Sequence, residues 1–174
     1  MMYHKTVDRI LALIKQNCVW HETFEHEAVR TSQEAANVRP GYTLEQGAKA
    51  LIVRTKTMEG SKFFMLVLPA HQRLDTKKAK HFLSTKDLRF ATEEEVEQTT
   101  DGVQIGGVPP FGNLFNLRVI ADPTLFLNEK IVCSMPSCIK FSPESQSPIT
   151  SMGSPTSSMV LFVCASAGTG KFCL

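Results

Sequence analysis

The chain has 174 residues and a formal charge of +2, from 19 basic and 17 acidic side chains. With 43% apolar and 21% charged residues it has an ordinary globular balance. That excludes a disordered chain and a polybasic coat for nucleic acid, though not a few local phosphate contacts. The length predicts one domain or two, with a core that needs no staples. The averages hide an asymmetry. Residues 131–174 carry only three charged side chains, Lys140, Glu144 and Lys171, and four of the five cysteines.

The N-terminus does not read as a secretory signal, because Lys5, Asp8 and Arg9 interrupt it. No apolar run approaches the roughly 18 residues of a membrane span. Five cysteines without regular spacing give no disulfide framework, so a reducing, cytoplasmic setting is expected. Cys18 is expected to be a small buried residue.

In chain order, residues 3–16 read as an amphipathic helix with Val7, Ile10, Leu11 and Ile14 on one side. Val19–Phe24 reads as a strand. Thr31 and Glu34 form a capping box that opens a short helix, ended before Pro40. Thr43 and Gln46 repeat that spacing. Ala48–Arg54 and Phe63–Pro69 read as strands joined by a turn at Glu59-Gly60-Ser61. Asp75 caps a helix over Thr76–Leu83, and Leu88–Ala91 is a short strand. Thr92 and Glu95 form another capping box, ahead of an acidic helix. A glycine-proline loop, Gly106 to Gly112, precedes strands at Leu117–Ala121 and Lys130–Cys133, with a helical turn at Asp122-Pro123 between them. Hairpin-joined strands mixed with helices exclude a doubly wound parallel sheet. They predict an α+β fold with a mixed, curved central sheet flanked by helices. Residues 134–158 are rich in Ser and Pro and read as irregular or disordered.

Two groups could carry chemistry. Lys49 starts a strand that otherwise reads as core, so it either snorkels to water or meets an anionic partner. In the loop, Gly106 and Gly107 lack Cβ and let a ligand approach, while Pro109 and Pro110 stiffen the turn. Such a loop either aims the amides of Gly107 and Val108 at an oxyanion or is an ordinary connection between strands. Other patterns carry less. Cys18, His21 and His26 lack the fourth ligand and the partner pair that zinc needs, so no metal is expected. Gly168-Thr169-Gly170-Lys171 lacks the first glycine and the Ser/Thr of a phosphate loop. Glu93, Glu94, Glu95 and Glu97 read as a solvated helix face. Lys77, Lys78 and Lys80 read either as a solvated face or as contacts for a phosphate backbone.

Taken in order, five stretches make a more specific pattern. They are Thr31-Ser32-x-Glu34-Ala35-Ala36, Lys49 to Val53, Val67 to Ala70, Leu74 to Lys78 and Gly106 to Gly112. This series resembles the YbaK / prolyl-tRNA-synthetase-associated editing family, in its free-standing members, over roughly residues 15–133. The resemblance implies a domain at 1–133 that hydrolyses the ester of mischarged aminoacyl-tRNA, most readily mischarged prolyl-tRNA, without cofactor or metal. The implied partners are the aminoacyl-tRNA acceptor end and an aminoacyl-tRNA synthetase, with no membrane. The family's strand lysine matches Lys49, which helps place the aminoacyl-adenosine end. Its glycine-proline loop matches Gly106 to Pro110 and holds the reacting carbonyl. Thr31 lines the amino-acid pocket or serves only as a cap. His26 donates near the substrate or is a surface histidine. Phe111 walls the pocket or fills core, and Asn113 meets the ribose or closes the turn.

Residues 134–174 depart from the family, which continues there with a further strand and a helix. Either an altered C-terminus replaces that end or a genuine extension packs in its own way. The apolar run Met159 to Ala165 is an aggregation liability if exposed. The departure keeps open an alternative, a non-catalytic module of the same fold that binds tRNA or a synthetase.

Overall fold

The computed structural model describes residues 4–27, 32–37, 41–58, 60–135 and 158–165. Helix α1 covers Lys5–Gln16. His4 caps it by accepting the Thr6 amide at 3.2 Å. Val7, Ile10 and Ile14 are buried along one stripe, as their spacing requires, and each burial contributes about 1.5–3 kcal/mol. The helix ends in a Schellman turn: the Cys18 amide donates to the Lys15 carbonyl and the Val19 amide to the Ile14 carbonyl, both at 3.1 Å. This geometry places Cys18 at a φ of 53°. Cys18 is therefore exposed rather than buried, because the turn projects it away from the core.

The strands are β1 (His21–Glu27), β2 (Gly47–Thr57), β3 (Gly60–Pro69), β4 (Leu88–Phe90), β5 (Arg118–Ala121), β6 (Lys130–Ser134) and β7 (Ser158–Ala165). Between them lie α2 (Ser32–Asn37), α3 (Thr76–Phe82) and α4 (Glu93–Thr99), with short 3-10 turns at Gly112–Phe115 and Pro123–Leu127. The first strand starts two residues later than expected and runs on to Glu27. The sheet order is β1-β7-β6-β2-β3-β5, and β4 pairs with the far half of β2. The sheet is open and mixed: β2 runs parallel to β6, β3 runs parallel to β5, and the other pairs are antiparallel.

Strand β7 revises the reading of the tail. No strand was assigned beyond Cys133, yet Ser158–Ala165 inserts between β1 and β6, antiparallel to both. Its run of branched and aromatic residues suits a strand whose two edges are both paired.

Alternation along β2 sorts the core into two layers. Ala48, Ala50 and Ile52 face a cluster with Met65, Val67, Val96, Val103, Val108 and Leu117. Ala48 also packs against the cluster of α1, which includes Phe111 and Cys133. Leu51 and Val53 face the other way, with Leu66 and Leu88 and the α3 residues Ala79 and, just beyond them, Leu83. Helices α1 and α4 thus cover one face and α3 the other, and Met65 to Pro69 in β3 are buried between the layers.

Candidate active site

Lys49 sits on β2 directly opposite Leu68 of β3. Strand alternation points its side chain to the α3 face, with Leu51 and Val53. There it is half-buried, and its ammonium donates to the Ala70 carbonyl at 3.1 Å and to the Gln72 carbonyl. The Ala70 amide in turn donates to the Gly47 carbonyl at 2.7 Å, which fixes this corner of the chain. An ammonium has three N–H donors, so two are spent on the corner and one remains among the described residues. Burial, and then the nearby positive charge of Arg73, pull the Lys49 pKa below the ordinary lysine value. Among the described residues Lys49 is thus neither a free snorkelling side chain nor a partner of a carboxylate. Its partners are backbone carbonyls, which no residue identity in the sequence could announce.

The glycine-proline loop lies on the opposite face. Gly106 has a φ of +90°, where glycine is favoured, and a Cβ built on it would meet no atom within 4 Å. The Gly107 amide donates to the Gln104 carbonyl at 3.1 Å, so of the two readings of the loop this amide follows the ordinary connection and is spent within the turn. The Val108 amide has no hydrogen bond among the described residues. Val108, Pro109 and Pro110 are buried, and the Phe111 amide donates to the Pro109 carbonyl at 2.8 Å. Phe111 packs in the α1 core cluster with Val7, Ile10 and Ile14. Gly112 has no space for a side chain, since a Cβ there would stand 2.5 Å from a Val119 methyl. Asn113 is exposed on the 3-10 turn, where its carbonyl accepts the Asn116 amide.

His26 lies on β1 opposite Met159 of β7. Thr31 falls outside the described residues. Among the described residues, no three His, Cys, Asp or Glu side chains gather where a metal could sit. Nor is any helix of the described residues long and apolar enough to cross a membrane. The fold and these two groups define an α+β domain with a strand-borne lysine on one face of an open sheet and a glycine-proline loop on the other.

The family model described as "Aminoacyl-tRNA editing domain" matches residues 26–135, and the chain belongs to that family. It is 31% identical over 121 residues to the Multifunctional Ser/Thr-tRNA deacylase ProXp-y of Escherichia coli strain K12, covering 70% of this chain and 71% of that one. It is 32% identical over 94 residues to the Proline--tRNA ligase of Fervidobacterium nodosum, covering 54% of this chain and 15% of that one. A crystal structure described as a candidate trans-editing enzyme for prolyl tRNA synthetase superposes with a TM-score of 0.61 at 27% identity, over 75% of this chain and 80% of that one. Another, of the hypothetical protein APE2540, gives 0.64 at 21% identity over 88% and 87%, and it supports the fold alone.

Proposed function

We propose that this chain is a trans-editing deacylase that hydrolyses the ester bond of mischarged aminoacyl-tRNA, with prolyl-tRNA carrying a wrong small amino acid as its main substrate. The observation that carries the reading is Lys49, held at a corner inside the family-matched segment with one N–H to spare. The names of the relatives support it, since they act on aminoacylated tRNA or belong to prolyl-tRNA synthesis.

The chemistry needs no protein nucleophile. An aminoacyl ester is already activated by the neighbouring ribose hydroxyl. Water attacks the carbonyl, the oxyanion forms, and the ribose oxygen leaves with a proton, giving free amino acid and tRNA. The protein supplies position and donors. Lys49 anchors the aminoacyl-adenosine end with its third N–H, and the Val108 amide receives the oxyanion beside Gly106. Ala48 packs on the clusters that hold Val108 and Phe111, and Lys49 follows it on β2. Thr31 and His26 remain assigned to the amino-acid pocket, and a synthetase remains assigned as a partner.

The test is a deacylation assay across a panel of mischarged tRNAs with the full chain. Faster amino-acid release from mischarged prolyl-tRNA than from the others is expected. No release above buffer from any of them would overturn the reading.

A further inference from the structure

We propose that the outer face of α3, continued by Arg73 and Lys86, is the surface that binds the phosphate backbone of the tRNA acceptor arm. The proposal rests on the editing function and adds the surface that holds the RNA. Residues 71–87 carry Arg73, Lys77, Lys78, Lys80 and Lys86 against Asp75 and Asp87. Their net +3 exceeds the +2 of the whole chain, so the charge is concentrated here.

Geometry keeps these cations available. At 100° per residue, Ala79 and Leu83 turn inward, and both pack on the Val53 layer. Lys77 then points outward, with Lys78 and Lys80 on its flanks. The Asp75 carboxylate caps the helix by accepting the Lys77 and Lys78 amides at 3.0 and 3.1 Å. None of the five cations forms an ion pair among the described residues. Elsewhere Lys5 and Arg9 pair with Asp101, and Arg54 and Arg89 with Glu95, while the other unpaired cations among the described residues, such as Lys15, Lys56 and Arg118, are scattered rather than gathered on one helix face.

Position favours RNA as the occupant. The patch shares the sheet face of Lys49 and joins it through the Ala70 and Gln72 carbonyls that hold the Lys49 ammonium. Two exposed aromatic side chains lie on this side, Phe82 at 64% and Phe90 at 52% exposure. Phe90 shares the face of Leu88, two residues earlier on β4. Unpaired cations beside exposed aromatic rings suit phosphates and unstacked bases.

The test compares three full-length proteins binding uncharged tRNA over a salt series: wild type, Lys77→Ala/Lys78→Ala/Lys80→Ala, and the charge-matched control Lys5→Ala/Lys15→Ala/Lys56→Ala. Each lost phosphate contact lowers the slope of log K against log salt by about 0.7–0.9. The α3 variant is expected to lose about 2–3 from the slope and the control markedly less. Equal slopes for the two variants, or no binding by wild type, would overturn the proposal. Deacylation by wild type is read in parallel. Its absence with the slope difference intact overturns the catalytic reading and supports the surface, whereas deacylation with equal slopes overturns the surface alone.

Discussion

Arg54 of β2 and Arg89 of β4 stand directly opposite each other in the sheet, two like charges in register. Such a pair is destabilising unless an anion lies between them. Glu95, three residues into the capping box of α4, supplies it. One carboxylate oxygen accepts from Arg54 at 2.9 Å and from Arg89 at 2.7 Å. The other accepts from Arg89 at 2.7 Å and from the Thr92 amide at 2.9 Å. The residue read as part of a solvated helix face is in fact only 19% exposed, and it pins α4 to two strands. Glu93 and Glu94, one turn face away, are exposed as expected.

The Glu95 network predicts a pH dependence. The Arg89 hydrogen bonds, then the Thr92 amide, lower its pKa from 4.5 to about 2. A carboxyl whose folded pKa is depressed stabilises fully above its unfolded value, and the gain disappears as pH falls through the folded one. Wild type should therefore be more stable than Glu95→Gln above about pH 4.5, with the gap closing towards pH 2. Urea unfolding at a series of pH values measures it. A constant gap down to pH 2 would contradict the assignment.

The capping box itself is reciprocal, with the Thr92 hydroxyl accepting the Glu95 amide at 3.3 Å. Thr92→Ala removes that acceptor and should cost about 1 kcal/mol. Chemical denaturation reads the loss as a lower midpoint at unchanged slope.

At the end of α1, Cys18 occupies a left-handed position that favours glycine. Cys18→Gly should stabilise the chain by about 1 kcal/mol, and Cys18→Val should destabilise it. Thermal unfolding under reducing conditions compares the two.

Gly112 is the opposite case, a glycine required by space. A Cβ would stand 2.5 Å from a Val119 methyl and 3.0 Å from the Leu117 carbonyl oxygen. Gly112→Ala should cost about 1–3 kcal/mol through overpacking. An unfolding midpoint equal to wild type would rule that out.

Local chemistry was legible in the sequence, and long-range chemistry was not. The Asp75 cap and the Thr92–Glu95 box each depend on neighbours a few residues apart, and both form. The hairpin of β2 and β3 forms too, but the turn expected at Glu59-Gly60-Ser61 lies earlier, since Gly60 and Ser61 already pair with Thr57 and Lys56 in the ladder. The stripe of α1 was equally plain from its period. By contrast, the arginines on Glu95 arrive from β2 and β4, and the partners of Lys49 are carbonyls. Strand β7 was visible only as an apolar run, because its place depends on β1 and β6 leaving a gap of one strand. The five-stretch series identified the family and singled out Lys49 as a candidate. It left the Gly107 amide open, because whether an amide turns inward or outward is decided by backbone geometry.

The central claim is that Lys49 places the aminoacyl end for hydrolysis, and single-turnover deacylation of mischarged prolyl-tRNA by Lys49→Ala tests it most directly. The account predicts a rate about 10²–10³ below wild type, with folding intact by circular dichroism. A wild-type rate from the folded variant would contradict it.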